Sequence, residues 1–412
     1  MDVVNPRCCG LDVHKASVVA CRKILGPSGK RQSSVRTFGT MTRDLLGLAD
    51  WLEEAGVTIV AMESTGVFWK PIYNILESRF AVMLVNAHHV KQVPGRKTDV
   101  KDCEWIADLL QHGLLHPSFV PPPAIRELRD LTRTRAQIVS EKTSVANRIH
   151  KLLEDANIKL GSVASDILGV SGRDMLESMV RGEEDPEVLA DLARRRLRGK
   201  IPQHQLALEG HATEHHRFML SFLLRHLKQL ETLIGELDLQ IEKVVRPFRK
   251  EIELLITMPG VQSRTAENLL AEIGADMDQF PSAGHLASWA GMCPGNNQSA
   301  GKRKGGKTPR ANRWLRRALT EAAWAAARTK NSYPQAQYKR LVPRKGKKRA
   351  IVAIGHGLLI AAYHMLKKST SYKDLGGDFF DRLNPEQLSR HLVKRLERLG
   401  YKVTLEATEV VA

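Results

Sequence analysis

The first 112 residues alternate short apolar runs with polar turns in an order that few architectures accept. Residues 7–12 (RCCGLD) and 16–24 (ASVVACRKI) read as strands joined by a tight polar turn, and a third strand-like run follows at 34–38. Residues 41–54 set Leu45, Leu46, Leu48, Ala49 and Leu52 at the spacing of an amphipathic helix. Residues 58–62 (TIVAM) read as a buried strand ending at Glu63, residues 69–78 as a helix and 80–85 (FAVMLV) as a fifth strand. Thr98 is placed to cap a helix over 99–112. The order β-β-β-α-β-α-β-α calls for a mixed sheet with helices packed on it.

That order fits an RNase H-like fold, and four acids stand at telling places in it. Asp12 ends the first strand and Glu63 the fourth, while Asp99 and Asp102 share one face at a helix start. Neighbouring strand ends and one helix face can converge on a point. Clustered carboxylates repel unless cations sit between them, and such hard oxygen ligands suit Mg²⁺ or Mn²⁺. Two such ions would clamp both oxygens of a phosphodiester under attack. Taken singly, each acid has a plainer reading, as a turn residue or a helix-dipole acid. His14, Lys15, Lys91, Arg96, Lys97 and Lys101 are basic neighbours suited to gripping flanking phosphates, whereas His88 and His89 read as surface residues.

Pro121–Pro123 marks a boundary. Beyond it Leu128, Leu131, Ile138, Val145, Ile149 and Leu152 recur at the spacing of a long helix with a narrow seam. Residues 161–200 read as a helical insert in which DPEVLADLARRRLR is one helix. A second long helix, from about Leu206 to Val245, carries Leu223, Leu227, Leu230, Ile234, Leu237, Ile241 and Val244. The two seams pair either as an antiparallel hairpin or between subunits. Met258-Pro259-Gly260-Val261, inside 251–274, is a helix-hairpin-helix pattern; Gly260 permits the turn, and nearby N–H groups can hold a phosphate. Helices follow at 283–291, 314–329 and 350–366, with a basic loop at 344–349 and a tail beyond Leu383.

The stretch from Cys293 to Arg317 opens on Pro294, Gly295 and two asparagines and reads as a loop. It holds one hydroxyl before the basic run, Ser299, then Lys302, Arg303, Lys304, Lys307, Arg310, Arg313, Arg316 and Arg317 without an acid among them. Phosphate backbone is the commonest partner for such a run. The whole chain carries a formal +18, which fits a nucleic acid or an anionic membrane. Against the membrane, no apolar run approaches the ~18–20 residues of a span, and the N-terminus shows no secretory pattern. The five cysteines form no CxxC pair, which excludes a zinc ribbon and points to a reduced, cytoplasmic setting. Cys8 and Cys9 read as small apolar fillers of a buried strand.

Six motifs resemble one family over nearly the whole chain: GLDVHK, AMESTG, KTDVKDCEWIADLL, VSGRDMLESMVRGEEDPEVLADLA, TMPGVQSRTAENLLAEIG and CPGNNQSAGKRKGGKT. The chain resembles the DEDD transposases of bacterial insertion sequences, the insertion-sequence one-ten family, also described as bridge-RNA-guided recombinases. The resemblance implies a RuvC-like DEDD domain over 1–120, a helical coiled-coil domain over 121–247, a serine-bearing transposase domain over 248–375 and a C-terminal helix and tail over 376–412. It puts the four metal-binding acids on Asp12, Glu63, Asp99 and Asp102 and the nucleophile on Ser299, with Gln298 where the family often has an acid. It further implies a composite site in a dimer to tetramer, donor and target DNA as substrates, and a structured bridge RNA as guide. Two other readings stay open on the residues: a Holliday-junction-resolving nuclease using the carboxylates alone, and a non-catalytic nucleic-acid-binding scaffold.

Overall fold

Five strands form one mixed sheet in the order β3-β2-β1-β4-β5: β1 (Arg7–Val13), β2 (Ser17–Leu25), β3 (Arg31–Gly39), β4 (Ile59–Glu63) and β5 (Ala81–Val85). β1, β2 and β3 run antiparallel, and β4 and β5 join β1 in parallel. The computed structural model describes residues 2–26, 29–64, 66–86, 102–295, 297–299, 302–305, 308 and 311–406. The chain divides into two compact units, Met1–Val120 and Pro121–Ala412. The mixed sheet and mostly helical remainder agree with the expected class, and the first unit is consistent with an RNase H-like frame.

Because side chains alternate across a strand, β1 feeds two cores. Cys9, Leu11 and Val13 pack with Leu45, Leu48 and Leu52 of α1 (Thr42–Glu54) and Ile72 and Leu76 of α2 (Trp69–Leu76). On the other face Cys8, with Ala61 of β4 and Val85 of β5, packs on Ile106, Leu109 and Leu110 of α3 (Asp102–Gln111). Gly10 lets α3 cross the strand: a Cβ there would lie 2.4 Å from the Ala107 nitrogen and 2.4 Å from the Cys103 oxygen. Cys8, Cys9, Cys21 and Cys103 are all buried thiols, and burial raises Cys8 to about 12.

In the second unit, α4 (Pro123–Asp155) and α5 (Glu214–Val245) form an antiparallel hairpin within one chain. Arg135 pairs with Asp238 at 2.5 Å, Lys142 with Glu231 at 2.8 Å and Asp155 with His216 at 3.0 Å, so numbers rise along one helix as they fall along the other. Intrachain pairing therefore uses the seams, with Val145, Ile149 and Leu153 packed in one core with Leu220, Leu223, Leu227 and Leu230. α5 begins at Glu214 and not near Leu206. Thr213 and His216 form a reciprocal capping box, and a separate helix, Ile201–Leu208, precedes it. The predicted helix through DPEVLADLARRRLR also breaks: it ends at Asp191, Arg195 takes φ 52°, and Arg195–Lys200 winds as a 3₁₀ helix.

The helix-hairpin-helix pattern folds as α6 (Arg249–Ile256) and α7 (Ser263–Ile273). Gly260 has φ 78°, and a Cβ on it would lie 2.3 Å from the Ala322 oxygen of α8 (Arg313–Ala326). A close helix approach thus accounts for this glycine. The expected basic loop at 344–349 is helical apart from Gly346, which separates α9 (Tyr333–Lys345) from α10 (Lys347–Lys368). By length and composition α10 is apolar enough to cross a membrane, contrary to the expectation that no such run exists. Its side chains instead build a core: Ile351, Ile354, Leu358, Leu359 and Ala362 are buried, and α8, α9 and the helix Ala283–Trp289 pack on it.

Candidate active site and nucleic-acid surface

Asp12 and Glu63 follow directly on Leu11 and Met62, the last paired residues of the parallel strands β1 and β4. By strand alternation Asp12 shares the face of Cys8 and Gly10, and Glu63 that of Ala61. Both faces are the one covered by α3, which opens with Asp102. The geometry thus brings two carboxylates to adjoining strand ends beneath the start of the helix bearing a third. Cys103, next to Asp102 in α3, is a buried thiol that burial first, then Cys21, Glu104 and Asp12, raise to about 11. Asp12 is 26% exposed and accepts from His14 Nε2 at 3.1 Å, leaving carboxylate oxygen open to a ligand. Among the described residues no three His, Cys, Asp or Glu side chains gather closely enough to hold a metal. Asp99 lies outside them, as do Lys91, Arg96, Lys97, Lys101, His88 and His89.

The basic stretch is more ordered than a loop. Asn297–Ser299 (β6) and Lys302–Gly305 (β7) pair antiparallel, Ser299 opposite Lys302 and Gln298 opposite Arg303, with a register shift between Asn297 and Gln298. The two intervening residues, Ala300 and Gly301, are not among the pairs that announce a two-residue hairpin, which is why the stretch reads as a loop. Lys302 is exposed, while for Ser299, Arg303 and Lys304 the description is of the backbone; Lys307 and Arg310 lie outside the described residues. Arg313 is helical rather than in the loop, and its guanidinium sits 4.6 Å over the Trp314 ring.

Sequence reasoning missed the residues that anchor the start of α8, the helix that follows this stretch in the chain. Asn312 caps α8, its Oδ1 accepting from the Trp314 and Leu315 amides at 3.1 Å. Its Nδ2 donates to Glu272 Oε2 at 2.5 Å. Glu272, 2% exposed, also takes a two-pronged clamp from Arg133 of α4 at 2.7 Å, and Arg129 lies 3.6 Å away. Burial lowers Arg129 to about 10, which leaves it charged at neutral pH. An asparagine immediately before a helix is a readable cap signal; its link to Glu272, 40 positions earlier, is not.

Two family models match the chain. One, a DEDD transposase model of the IS110 type, covers residues 9–158, and the other, described as transposase IS116/IS110/IS902 family, covers 252–339. Among relatives, the 42 kDa protein of insertion element IS900 from Mycobacterium paratuberculosis is 27% identical over 323 residues, 71% of this chain and 80% of that protein. The 43.6 kDa protein of insertion element IS110 from Streptomyces coelicolor is 28% identical over 309 residues, 68% of this chain and 73% of its own. A pilin gene-inverting protein of Moraxella bovis is 29% identical over 161 residues, 38% of this chain and 50% of that one. The matched class is that of insertion-sequence transposases. The chain belongs to the IS110/IS116/IS900 family of DEDD transposases.

Proposed function

We propose that this transposase cuts and rejoins DNA strands to excise and insert a mobile element, using a carboxylate site on Asp12, Glu63, Asp99 and Asp102 and the Ser299 hydroxyl as nucleophile. The observation carrying the reading is the shared face of Asp12 and Glu63 under the first turn of α3. Their donor set is all carboxylate oxygen, the chemistry that Mg²⁺ or Mn²⁺ prefers. Bound there, divalent ions would supply charge neutralisation of the phosphodiester. His14, 3.1 Å from Asp12, holds that carboxylate in orientation.

Ser299 sits at one end of a strand whose partner begins with Lys302. A serine hydroxyl attacks phosphorus only when the phosphate oxygens' charge is offset and its own proton is taken. The basic residues Lys302, Arg303, Lys304, Lys307, Arg310 and Arg313 provide the first requirement. No histidine is near in sequence for the second, so the carboxylate site is the available base, which is a reason for the two motifs to cooperate. Attack forms the bond from Ser299 Oγ to phosphorus and breaks the bond from phosphorus to one sugar oxygen, which takes up a proton and leaves as a free hydroxyl, so the phosphoserine ester keeps the bond energy for rejoining. The gene-inverting relative is named for a DNA rearrangement, which favours recombination over plain nuclease action. A structured bridge RNA as guide, assembly as a dimer to tetramer and action in the cytoplasm complete the reading. The charge of +18 is compatible with the RNA.

Incubation with donor DNA and Mg²⁺ followed by denaturation should leave a strand attached to protein and released by protease. Ser299→Ala should give no adduct and Asp12→Asn no cleavage, both with DNA binding retained. An adduct that persists in Ser299→Ala, or wild-type cleavage by Asp12→Asn, overturns the respective assignment.

A further inference from the structure

A cavity of about 150 Å³ lies among α4, α7 and α8. Its walls include Thr265 and Asn268 of α7, Trp314 of α8, and Arg133, Arg264 and Arg317. Three features define what it can take. The volume is that of one small flat ring, since an engineered cavity of about this size holds benzene. Trp314 supplies an aromatic wall, and Arg313, which does not line the cavity, lies over the indole ring. The half-buried hydroxyl of Thr265 and amide of Asn268 make no hydrogen bond among the described residues, so donors and acceptors stand ready for a ligand.

Charge then separates the candidates. The four guanidinium groups that line it are already matched: Arg133 by Glu272, Arg135 by Asp238, Arg264 by Asp238 and Glu267, and Arg317 by Glu321. A cavity so balanced has little excess attraction for a phosphate anion. It suits a neutral ring with hydrogen-bonding edges. Arg317 spends only its Nε on Glu321 and is 48% exposed, which leaves terminal donors for a phosphate beside the ring.

We infer that this cavity is a nucleotide site that takes one unpaired base of the DNA strand, stacked on Trp314 and read by Asn268 and Thr265, with its phosphate on Arg317. The inference rests on the transposase reading for its choice of DNA. Asn is suited to paired contacts with a base edge, and base-on-aromatic stacking is how unpaired strands are held without strict sequence preference. An enzyme that exchanges strands must hold bases that have left their pairs, and one wall of the cavity, α8, is the helix that follows the Ser299 hairpin in sequence.

The test uses the full-length protein and labelled single-stranded DNA of mixed sequence, with the matching duplex and RNA as separate arms. Asn268→Ala and Thr265→Val should each weaken single-strand binding roughly tenfold. Because they touch a base and not a phosphate, the salt dependence of binding should not change. Single-stranded DNA carrying 5-iodouracil should photocrosslink to the peptide holding Trp314. Unchanged affinity in both variants, with crosslinks only elsewhere, overturns the site. Tighter RNA binding with crosslinks to Trp314 from RNA alone overturns the assignment to DNA. Crosslinking at Trp314 in a protein that forms no Ser299 adduct leaves the cavity standing and sinks the serine chemistry; the converse pattern does the reverse.

Discussion

Asn312 Nδ2 donates to Glu272 Oε2 at 2.5 Å while Asn312 Oδ1 caps helix α8. One amide therefore fastens the start of α8 to a buried carboxylate that Arg133 also clamps. Breaking a buried ion pair from one side strands the other charge, at about 3–5 kcal/mol. Glu272→Ala should therefore lower stability by that order. Asn312→Ala, which removes a cap and one charge-assisted bond, should cost about 2 kcal/mol. Urea titration of the whole chain measures both, and a Glu272→Ala variant as stable as wild type would show that the carboxylate is dispensable.

Gly10 is the second point where one atom decides geometry. A Cβ there meets backbone of Cys103 and Ala107 at 2.4 Å, and backbone cannot swing aside as a side-chain end can. Gly10→Ala should push α3 off the sheet at a cost of about 1–3 kcal/mol. Since α3 begins with Asp102, strand cleavage should fall far more than DNA affinity. Retained cleavage would separate the position of α3 from the chemistry.

The basic hairpin makes a prediction about salt. Removing one cation that neutralises a phosphate should reduce the slope of log K against log salt by roughly 0.7–0.9. Lys302→Ala, Arg303→Ala and Lys304→Ala combined should thus flatten the slope by about 2–3 if all three touch the backbone. Binding measured by anisotropy over a salt series decides, and an unchanged slope places these residues in solvent.

Much of the first unit could be read in the sequence because strand and helix periods differ so plainly there. The five strands, with Asp12 and Glu63 at two of their ends, follow from residues that alternate or run apolar between turns. Legibility failed where a local signal was overridden. The arginine-rich run after Asp191 has good helix formers, yet Arg194 turns away to pair with Asp174 at 2.6 Å and its amide bonds Ser171 Oγ at 2.9 Å. The helix predicted from Leu206 ignored Thr213, whose capping box outweighs continuous apolar spacing. Glu272 could not be recognised at all, since its partners Arg129, Arg133 and Asn312 come from distant segments and meet only in the fold.

The long hairpin carries a pH signature. Glu231 of α5 is bound by Arg173, from the insert, and by Lys142 of α4 at 2.8 Å. Hydrogen bonding to Arg173 above all, opposed by burial and aided by Lys142, lowers its carboxyl from 4.5 to about 2. A depressed carboxyl contributes stability that is full above its unfolded value and is lost as pH falls through the folded one. The window therefore runs from about 4.5 down to about 2. Glu231→Gln keeps the shape and removes the charge, so it should be less stable than wild type at pH 7. The gap should shrink by roughly half at pH 3, because the wild-type carboxylate is then losing its advantage. Paired urea titrations at the two pH values measure the gap directly. A gap that stays constant or widens on acidification would mean that another group, and not the Arg173–Glu231–Lys142 cluster, sets the acid response of the arm.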